Sequence, residues 1–260
     1  MTPAEEILFE VNSGIAWLTF NRPEARNAMT FSMYQRLEEA CGQVNGDSSV
    51  RVMILRGAGG KSFVSGTDIS QFRNFTTREH ALEYEATMDR VFNALEDVQV
   101  PTIAAIQGAC TGGGAGIAAA CDLRLGTPSA KFGFPIARTL GNTLSTRNFA
   151  RLAALIGIAR TKELILLAKL LDADEMKAIG LLNELTDEEN LYRRAEEMAR
   201  TLMEHAPITL RSTKQVLNRI MRHWQPPSDS AHVVEAYTSS DFREGVDAFL
   251  SKRKPRWSGR

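Results

Sequence analysis

Two glycine-rich segments contain the residues of this chain best suited to chemistry. Gly112, Gly113 and Gly114 follow a strand-like run at residues 102–107 and precede an alanine-rich helical stretch at residues 115–121. The second segment, residues 65–69, also follows a buried-strand pattern and ends at a predicted helix start. Unpaired N–H groups at a helix start attract negative charge, and two converging sets of them make an oxyanion hole. Either segment alone also fits simple packing or phosphate binding.

Acid and base groups are scarce around the glycine triplet. Between Asp97 and Glu163 the only carboxylate is Asp122. The same stretch holds seven cationic residues, namely Arg124, Lys131, Arg138, Arg147, Arg151, Arg160 and Lys162. The sequence therefore predicts a site for a negative oxygen without an acid–base pair beside it.

Composition excludes several classes of protein. The 260 residues include 31 basic and 31 acidic side chains, and no basic run is interleaved with aromatic residues, so a nucleic-acid partner is not expected. The first residues carry acids where a signal peptide needs bases, and no apolar run reaches about 18 residues, which predicts a cytoplasmic protein without a membrane partner. Cys41, Cys110 and Cys121 lack metal-ligand spacing, so we expect no metal site.

Strand and helix patterns alternate along the chain. The predicted strands are residues 7–11, 15–20, 50–55, 102–107 and 122–126, and the predicted helices are residues 30–44, 79–98 and 115–121. From residue 147 onward the pattern is helical, with a break near residues 182–185. This alternation predicts an α/β fold with a helical layer in its C-terminal third.

A dinucleotide fingerprint is absent. Gly57-Ala58-Gly59 is followed by Gly60-Lys61-Ser62, so the third glycine of a GxGxxG motif is missing. Gly60-Lys61-Ser62 also lacks the upstream glycine of a phosphate-binding loop. A nicotinamide-dependent enzyme is therefore not expected.

Five blocks of sequence occur in a specific order over nearly the whole chain. They are NRPEARNA at residues 21–28, FVSGTDI at 63–69, the glycine block at 108–122, KFG at 131–133, and DFREG at 241–245 followed by KR at 252–253. Together they resemble the signature blocks of the enoyl-CoA hydratase/isomerase (crotonase) superfamily.

That resemblance implies a crotonase-like spiral of ββα turns over residues 1–200 and a helical trimerisation region over residues 201–260. It also implies acyl-CoA thioesters as ligands, with coenzyme A entering as part of the substrate and no permanently bound cofactor. The expected partner is the chain itself, as a homotrimer or a dimer of trimers.

Site residues follow from the same resemblance. The oxyanion-hole N–H groups fall on Thr67 and Gly113. The coenzyme A moiety would lie against residues of three segments: Ala25, Arg26, Ser65, Gly66, Asp68, Ile69 and Lys252. From the sequence itself, Asp68 at a helix start is better explained as a cap than as a proton carrier.

The chain departs from the family pattern at both hydratase glutamates. Those positions hold Gly116 and Ile136, and a one-residue slip would replace the second with Ala137. Since none of these can exchange a proton, efficient water addition is not expected. Arg138 and Asn142 are the other pocket candidates. Arg138 could hold a second substrate carboxylate, because its guanidinium stays charged.

Other carboxylates occur on the predicted helix at residues 79–98. Glu79, Glu83, Glu85 and Asp89 are interpreted as a solvated face, although one of them could enter the site. Two hypotheses stay open. The first is an acyl-CoA enzyme that stabilises a thioester enolate, acting as an isomerase, decarboxylase or thioester hydrolase. The second is a catalytically silent protein that binds CoA esters.

Overall fold

The computed structural model describes residues 5–223 and 230–260. Nine strands occur in this part of the chain: β1 (Ile7–Asn12), β2 (Ile15–Phe20), β3 (Val52–Gly57), β4 (Ser62–Val64), β5 (Thr102–Ile106), β6 (Ala109–Thr111), β7 (Leu123–Gly126), β8 (Lys131–Gly133) and β9 (Glu184–Leu185).

Ten α-helices accompany these strands in the described residues. The first five are α1 (Phe31–Gly46), α2 (Arg78–Glu96), α3 (Gly113–Ala120), α4 (Ile136–Thr139) and α5 (Thr146–Leu166). The others are α6 (Ala173–Ala178), α7 (Leu191–Glu204), α8 (Pro207–His223), α9 (Ala231–Thr238) and α10 (Ser240–Leu250). Two short 3₁₀ helices cover Pro23–Ala25 and Ile69–Phe72.

The strands form two sheets. The larger sheet has the order β1-β2-β3-β5-β7-β9, antiparallel between β1 and β2 and parallel elsewhere. The smaller sheet has the order β4-β6-β8 and is parallel throughout. The pairs β3–β4, β5–β6 and β7–β8 each place one strand in the larger sheet and the next in the smaller, before a helix follows. This repeat is the α/β spiral of ββα turns that the sequence predicts.

The longer predicted elements are confirmed, and the smaller sheet was missed. Thr30, the predicted helix start, is the N-cap of α1 and its side chain accepts a hydrogen bond from the Met33 amide at 3.2 Å. Strands β4, β6 and β8 contain three residues each, too few to show alternation. They flank glycines, so the sequence indicated loops there.

The C-terminal helices cover one side of the spiral. Val233 and Tyr237 of α9 and Phe242 and Val246 of α10 are buried in one cluster with Phe72. The predicted boundary between residues 200 and 201 falls inside α7, and the division of the chain there stays a prediction. Within the described residues, none of the helices has the length and apolarity needed to span a bilayer.

Candidate functional site

The two glycine-rich segments meet at one edge of the smaller sheet. Strands β4 and β6 are parallel neighbours, so the chain leaves both at the same edge. The Thr111 hydroxyl donates to the Ser65 carbonyl at 2.9 Å. A Cβ atom on Gly112 would lie 3.4 Å from the Gly66 Cα atom. The two segments are therefore joined by a hydrogen bond, and no room for a side chain is left between Gly112 and Gly66.

Thr67 and Gly113 lie side by side at this junction. A Cβ atom on Gly113 would be 3.4 Å from the Thr67 hydroxyl oxygen and would overlap the Tyr34 hydroxyl. Gly113 is the first residue of α3, and Gly112 before it has a φ of 53°, which favours glycine. Among the residues that the structure describes, the amides of Thr67 and Gly113 have no protein acceptor. We call this surface the amide wall.

A chain of hydroxyl groups fixes the Thr67 side chain. Its oxygen is 2.8 Å from the Tyr34 hydroxyl and 2.9 Å from the Tyr84 hydroxyl. Burial raises the pKa of both tyrosines well above the usual value, so they stay neutral at physiological pH. Because the hydroxyl is committed to these tyrosines, the backbone amide is the part of Thr67 left for a ligand.

The amide wall bounds a cavity of about 240 Å³. Most of its lining is apolar, including Ile69, Phe72, Met88, Phe92, Phe134, Ile136, Leu140, Leu144 and Phe249. A few polar side chains break this surface, among them Tyr84, Glu85, Asn142 and Tyr237. An apolar pocket with few converging polar groups is the usual form of a small-molecule site.

Glu85 is the carboxylate that the cavity contains, and its predicted place on a solvated face of the helix was wrong. Its residue surface is only 6% exposed. It lies on the buried face of α2 with Ala81, Met88 and Phe92. That apolar spacing is visible in the sequence, and it is the signal that could have placed Glu85 inside. Glu79 and Glu83 are exposed, as expected for a solvated face.

Two donors hold the Glu85 carboxylate in place. The Tyr237 hydroxyl donates to Oε1 at 2.6 Å, and the Ser145 amide donates to Oε2 at 2.9 Å. Burial raises the pKa of Glu85 to about 7, and the nearby charge of Asp89 contributes to that rise while the two hydrogen bonds oppose it. We call the surface formed by Glu85, Tyr237 and Asn142 the carboxylate wall.

Asn142, a pocket candidate from the sequence, completes the carboxylate wall and is among the residues that line the cavity. Its Nδ2 group donates to the Tyr237 hydroxyl at 3.0 Å, because that hydroxyl gives its own hydrogen to Glu85. In the described part of the chain, the buried Oδ1 atom of Asn142 has no hydrogen-bond partner. Asn142 lines the cavity, and an unpaired buried acceptor of this kind is uncommon in folded proteins.

Gly116 and Ile136, which occupy the two hydratase-glutamate positions, both have apolar surroundings in the structure. Ile136 lines the cavity and is 6% exposed. A Cβ atom on Gly116 would come within 2.6 Å of the Phe92 ring. Phe92 lines the cavity there, and Gly116 is not among its lining residues. The prediction that Gly116 faces the pocket was therefore wrong, because the Phe92 ring covers it.

Arg138 is also misplaced by the sequence interpretation. Its side chain is exposed on α4, and it is not among the residues that line the cavity. A four-residue helix from Ile136 to Thr139 turns Ile136 inward and leaves Arg138 outside. The structure therefore gives no support to a second substrate carboxylate bound by Arg138.

His80 lies in the first turn of α2, where a histidine could face either the pocket or the surface. Its ring stacks on Phe75 at a centroid distance of 5.5 Å, and its Nδ1 atom accepts from the Thr76 amide at 3.2 Å. It is not among the lining residues of the cavity, which supports the surface interpretation.

The residues predicted to hold coenzyme A fall into two groups. Ser65, Gly66 and Ile69 line the cavity. Asp68 is not in the lining; it caps the 3₁₀ helix, accepting from the Ser70 amide at 3.1 Å, and pairs with Arg22 at 3.3 Å.

Ala25, Arg26 and Lys252 lie outside the cavity lining. The Arg26 carbonyl accepts from the Ser65 amide at 3.2 Å, so the segment around Arg26 adjoins the pocket edge. Lys252 is exposed just beyond the end of α10, whose Phe249 lines the cavity.

The spiral fold and the amide-lined pocket define the class of protein. The family model described as enoyl-CoA hydratase/isomerase matches residues 10–260, and the chain belongs to this family of acyl-CoA-processing enzymes.

Similar proteins include the short-chain-enoyl-CoA hydratase of Clostridium acetobutylicum, 35% identical over 254 residues that cover 95% of each chain. A solved enoyl-CoA hydratase/carnithine racemase from Magnetospirillum magneticum is 32% identical, has a TM-score of 0.81, and is matched over 98% of this chain and 96% of its own. A methylmalonyl-CoA decarboxylase solved with 2-nitronate-propionyl-CoA is 25% identical, has a TM-score of 0.88, and is matched over 98% of this chain and 99% of its own.

Proposed function

We propose that this chain transforms acyl-CoA thioesters by stabilising negative charge on the thioester carbonyl oxygen with the amides of Thr67 and Gly113. The observation that carries the proposal is the meeting of two glycine-rich segments at the wall of one largely apolar cavity. Neither amide is used elsewhere within the described residues, so both are available to an external acceptor.

The physical advantage of this arrangement is electrostatic. When a thioester loses an α-proton or gains a nucleophile, its carbonyl oxygen becomes negative. Two fixed N–H donors in apolar surroundings stabilise that charge more than they stabilise the neutral carbonyl. One such donor contributes about 3 kcal/mol to the transition state. The N-terminus of α3, where Gly113 lies, adds the favourable end of a helix dipole.

The coenzyme A part would occupy the mouth of the cavity. We assign its contacts to the segment at Ala25 and Arg26, the neighbouring Ser65–Ile69 segment, and the exposed Lys252 near its phosphates. The hydrogen bond between Arg26 and Ser65 brings the first two segments together, which supports their shared role. In this proposal the protein needs no permanently bound cofactor, because coenzyme A enters as part of the substrate.

Catalysis is favoured over silent binding by one feature of the cavity. A silent CoA-ester-binding protein has no use for an ionisable carboxyl group held in an apolar pocket, where its charge is costly. Glu85 is such a group, and burial raises its pKa to about 7. An acid that titrates near neutral pH inside a pocket is typical of enzyme sites.

Self-association is the remaining part of the proposed function. The resemblance assigns trimerisation to residues 201–260, and α8 in this region leaves large apolar side chains uncovered in the single chain. Ile208 is 69% exposed and Leu217 is 59% exposed. These side chains support an assembly through the C-terminal helices.

An anionic substrate analogue tests the charge-stabilising function. 2-Nitronate-propionyl-CoA carries delocalised negative charge beside the thioester carbonyl, whereas propionyl-CoA is neutral there. We expect the wild-type protein to bind the nitronate at least tenfold more tightly by isothermal titration calorimetry. A panel of enoyl-, malonyl- and aryl-CoA thioesters then measures turnover. Equal affinity for the two ligands, or binding of neither, would contradict the proposal. Tight nitronate binding without turnover of any thioester would instead favour the silent alternative.

A further inference from the structure

We infer that Glu85 is the group that takes a proton from the acyl chain and returns it to another carbon, in a reaction that shifts a carbon–carbon double bond. This inference rests on the proposed function, because it needs a thioester held at the amide wall. It assigns the proton carrier to α2, far in sequence from Gly116 and Ile136.

The lining of the cavity supports this assignment by its composition. Among the described residues that line the cavity, Glu85 is the single carboxylate, and the lining holds no Arg, Lys or His. Its only other ionisable groups are Tyr84 and Tyr237, whose pKa values burial raises well above the usual range. A proton transferred inside the cavity near neutral pH therefore has one acceptor, which is Glu85.

The hydrogen bonds of Glu85 leave its carboxylate able to accept a proton from a ligand. Each carboxylate oxygen accepts one hydrogen bond, from Tyr237 or from Ser145, and a carboxylate oxygen has room for more than one donor. No salt bridge neutralises Glu85 among the described residues. The carboxylate is thus oriented by two donors without being paired to a cation, and burial raises the pKa of Glu85 to about 7, close to the ideal for a proton carrier at neutral pH.

Thr67 and Glu85 belong to one connected unit. Tyr84, the residue before Glu85, lies with its hydroxyl 2.9 Å from the Thr67 hydroxyl oxygen. The amide wall and the carboxylate wall are therefore joined at adjacent positions of α2, and both line the same cavity. A thioester carbonyl at the amide wall would place its acyl chain in the space that Glu85 borders.

The chemical step needs no further reactant. The Glu85 carboxylate takes the α-proton of a 3-enoyl thioester, and the C–H electron pair forms the enolate C=C bond. The carbonyl π electrons move to the oxygen, where the Thr67 and Gly113 amides stabilise them. The neutral Glu85 then gives the same proton to the γ-carbon, where the former β,γ π pair forms the new C–H bond. The enolate C=C pair becomes the α,β double bond, and an oxygen lone pair re-forms the carbonyl, which leaves the double bond conjugated with the thioester.

Hydration fits this cavity less well. Water addition needs one group to take the proton of water and a proton source for the α-carbon. Of the two positions where the family places glutamates, one is Gly116, which the Phe92 ring covers, and the other is Ile136. Neither Phe92 nor Ile136 can bind or activate water. A proton shift between carbons uses one carboxylate for both transfers, and one is what the described lining contains.

The groups around Glu85 determine its pH dependence. They are Tyr34 of α1, Tyr84 and Asp89 of α2, and Tyr237 of α9. The tyrosines stay neutral because burial raises their pKa values. Arg147 acts on Asp89, whose own pKa is raised by burial. Asp89 is thus the ionisable neighbour that shifts the profile of Glu85.

The test compares three variants with the wild type, using 3-butenoyl-CoA as the probe. Isomerisation is followed by the absorbance of the conjugated product, and α-proton exchange in D₂O is followed by NMR. Glu85→Gln removes the titrating group and keeps the size. Glu85→Asp keeps a carboxylate with a shorter reach. Glu83→Gln is the matched control, since Glu83 is exposed on the same helix.

We expect Glu85→Gln to bind 3-butenoyl-CoA within threefold of wild type and to lose at least 100-fold in both isomerisation and α-proton exchange. Glu85→Asp should recover part of the rate, and Glu83→Gln should match the wild type. The wild-type kcat/KM should fall about tenfold per pH unit below pH 7, and the Glu85→Gln residual rate should not.

Each contrary result has a distinct meaning. A Glu85→Gln variant with wild-type rate and pH profile overturns the role of Glu85 and leaves the proposed function standing. Equal loss in Glu85→Gln and Glu85→Asp, together with lost thioester binding, overturns it in favour of a structural role. Wild-type protein that binds no acyl-CoA overturns both proposals. Wild-type protein that hydrates crotonyl-CoA but does not isomerise 3-butenoyl-CoA overturns the double-bond shift.

Discussion

The amide wall and the carboxylate wall of the cavity are built in opposite ways. The amide wall uses backbone atoms of two short glycine-rich segments. The carboxylate wall uses side chains from distant parts of the sequence: Asn142 and Tyr237 are 95 positions apart, and Glu85 and Tyr237 are 152 positions apart. Backbone donors are tied to local sequence, whereas a side-chain acid of this kind depends on which helices pack together. A fold can therefore retain the first wall while the second changes.

The contrast between the two walls is tested most strongly by a substitution at Gly113 in the amide wall. An added methyl group there would overlap the Tyr34 hydroxyl, so Gly113→Ala must displace either that hydroxyl, which holds Thr67, or the backbone of the amide wall. We expect kcat/KM toward an acyl-CoA substrate to fall 100- to 1,000-fold, the usual effect of losing one oxyanion donor. Steady-state kinetics on the purified variant would measure the loss.

The double variant Tyr34→Phe with Gly113→Ala removes the overlapping hydroxyl. Its kcat/KM should be at least tenfold higher than that of Gly113→Ala alone. Gly42→Ala is the control, because Gly42 lies within α1 and has no heavy atom within 4 Å of the position of its added Cβ atom. If Gly113→Ala keeps wild-type activity, the amide wall does not contact the reacting carbonyl, and the contrast between the walls disappears.

Because Glu85 of the carboxylate wall is buried, the free energy of unfolding of the protein should depend on pH. Burial raises the pKa of Glu85 from 4.5 to about 7, so between these values the folded chain holds a proton that the unfolded chain has released. Wild-type stability attributable to Glu85 is therefore complete below pH 4.5 and is lost as the pH rises through 7. The full loss is about 3 kcal/mol.

Urea unfolding at pH 4.5, 6 and 8 checks this prediction. Relative to Glu85→Gln, the wild-type free energy of unfolding should decline as the pH increases. The Glu83→Gln variant should run parallel to the wild type at every pH. Parallel curves for wild type and Glu85→Gln would show that Glu85 ionises normally and would remove the chemical basis of the carboxylate wall.

The smallest effect is expected outside both walls, at Lys252. This residue is exposed, and exposed ion pairs contribute about 0.2–1 kcal/mol. Lys252→Ala should weaken binding of an acyl-CoA about threefold at low salt and leave binding of the matching acyl-pantetheine unchanged. Lys254→Ala, an equally exposed neighbour, provides the control in the same calorimetric titration. A larger effect on acyl-pantetheine than on acyl-CoA would place Lys252 away from the phosphates.

The sequence predicts the larger sheet and the amide wall well for a physical reason. Long strands and amphipathic helices leave periodic patterns, and the glycines before α3 mark a backbone that side chains would obstruct. It does not predict the position of Arg138, because a four-residue helix is too short to reveal which face turns inward. It also gives no sign that Phe92 covers Gly116, since that contact joins α2 to α3.

Glu85 was missed for a different reason. A charged residue on a helix is interpreted as solvated unless its partner is known, and the partner, Tyr237, lies on α9. The apolar spacing of Ala81, Met88 and Phe92 around Glu85 was present in the sequence. The packing of α9 against α2 brings in Tyr237, one of the two donors that make the buried carboxylate tolerable.

The contact between Phe92 and Gly116 limits the side chains that position 116 can hold. A glutamate introduced at position 116 would collide with the aromatic ring, whereas a smaller residue at position 92 would first open the space. A carboxylate at position 116 therefore gains room only when the Phe92 ring moves or is replaced by a smaller side chain, so an acid on α3 depends on the residue that α2 packs against it.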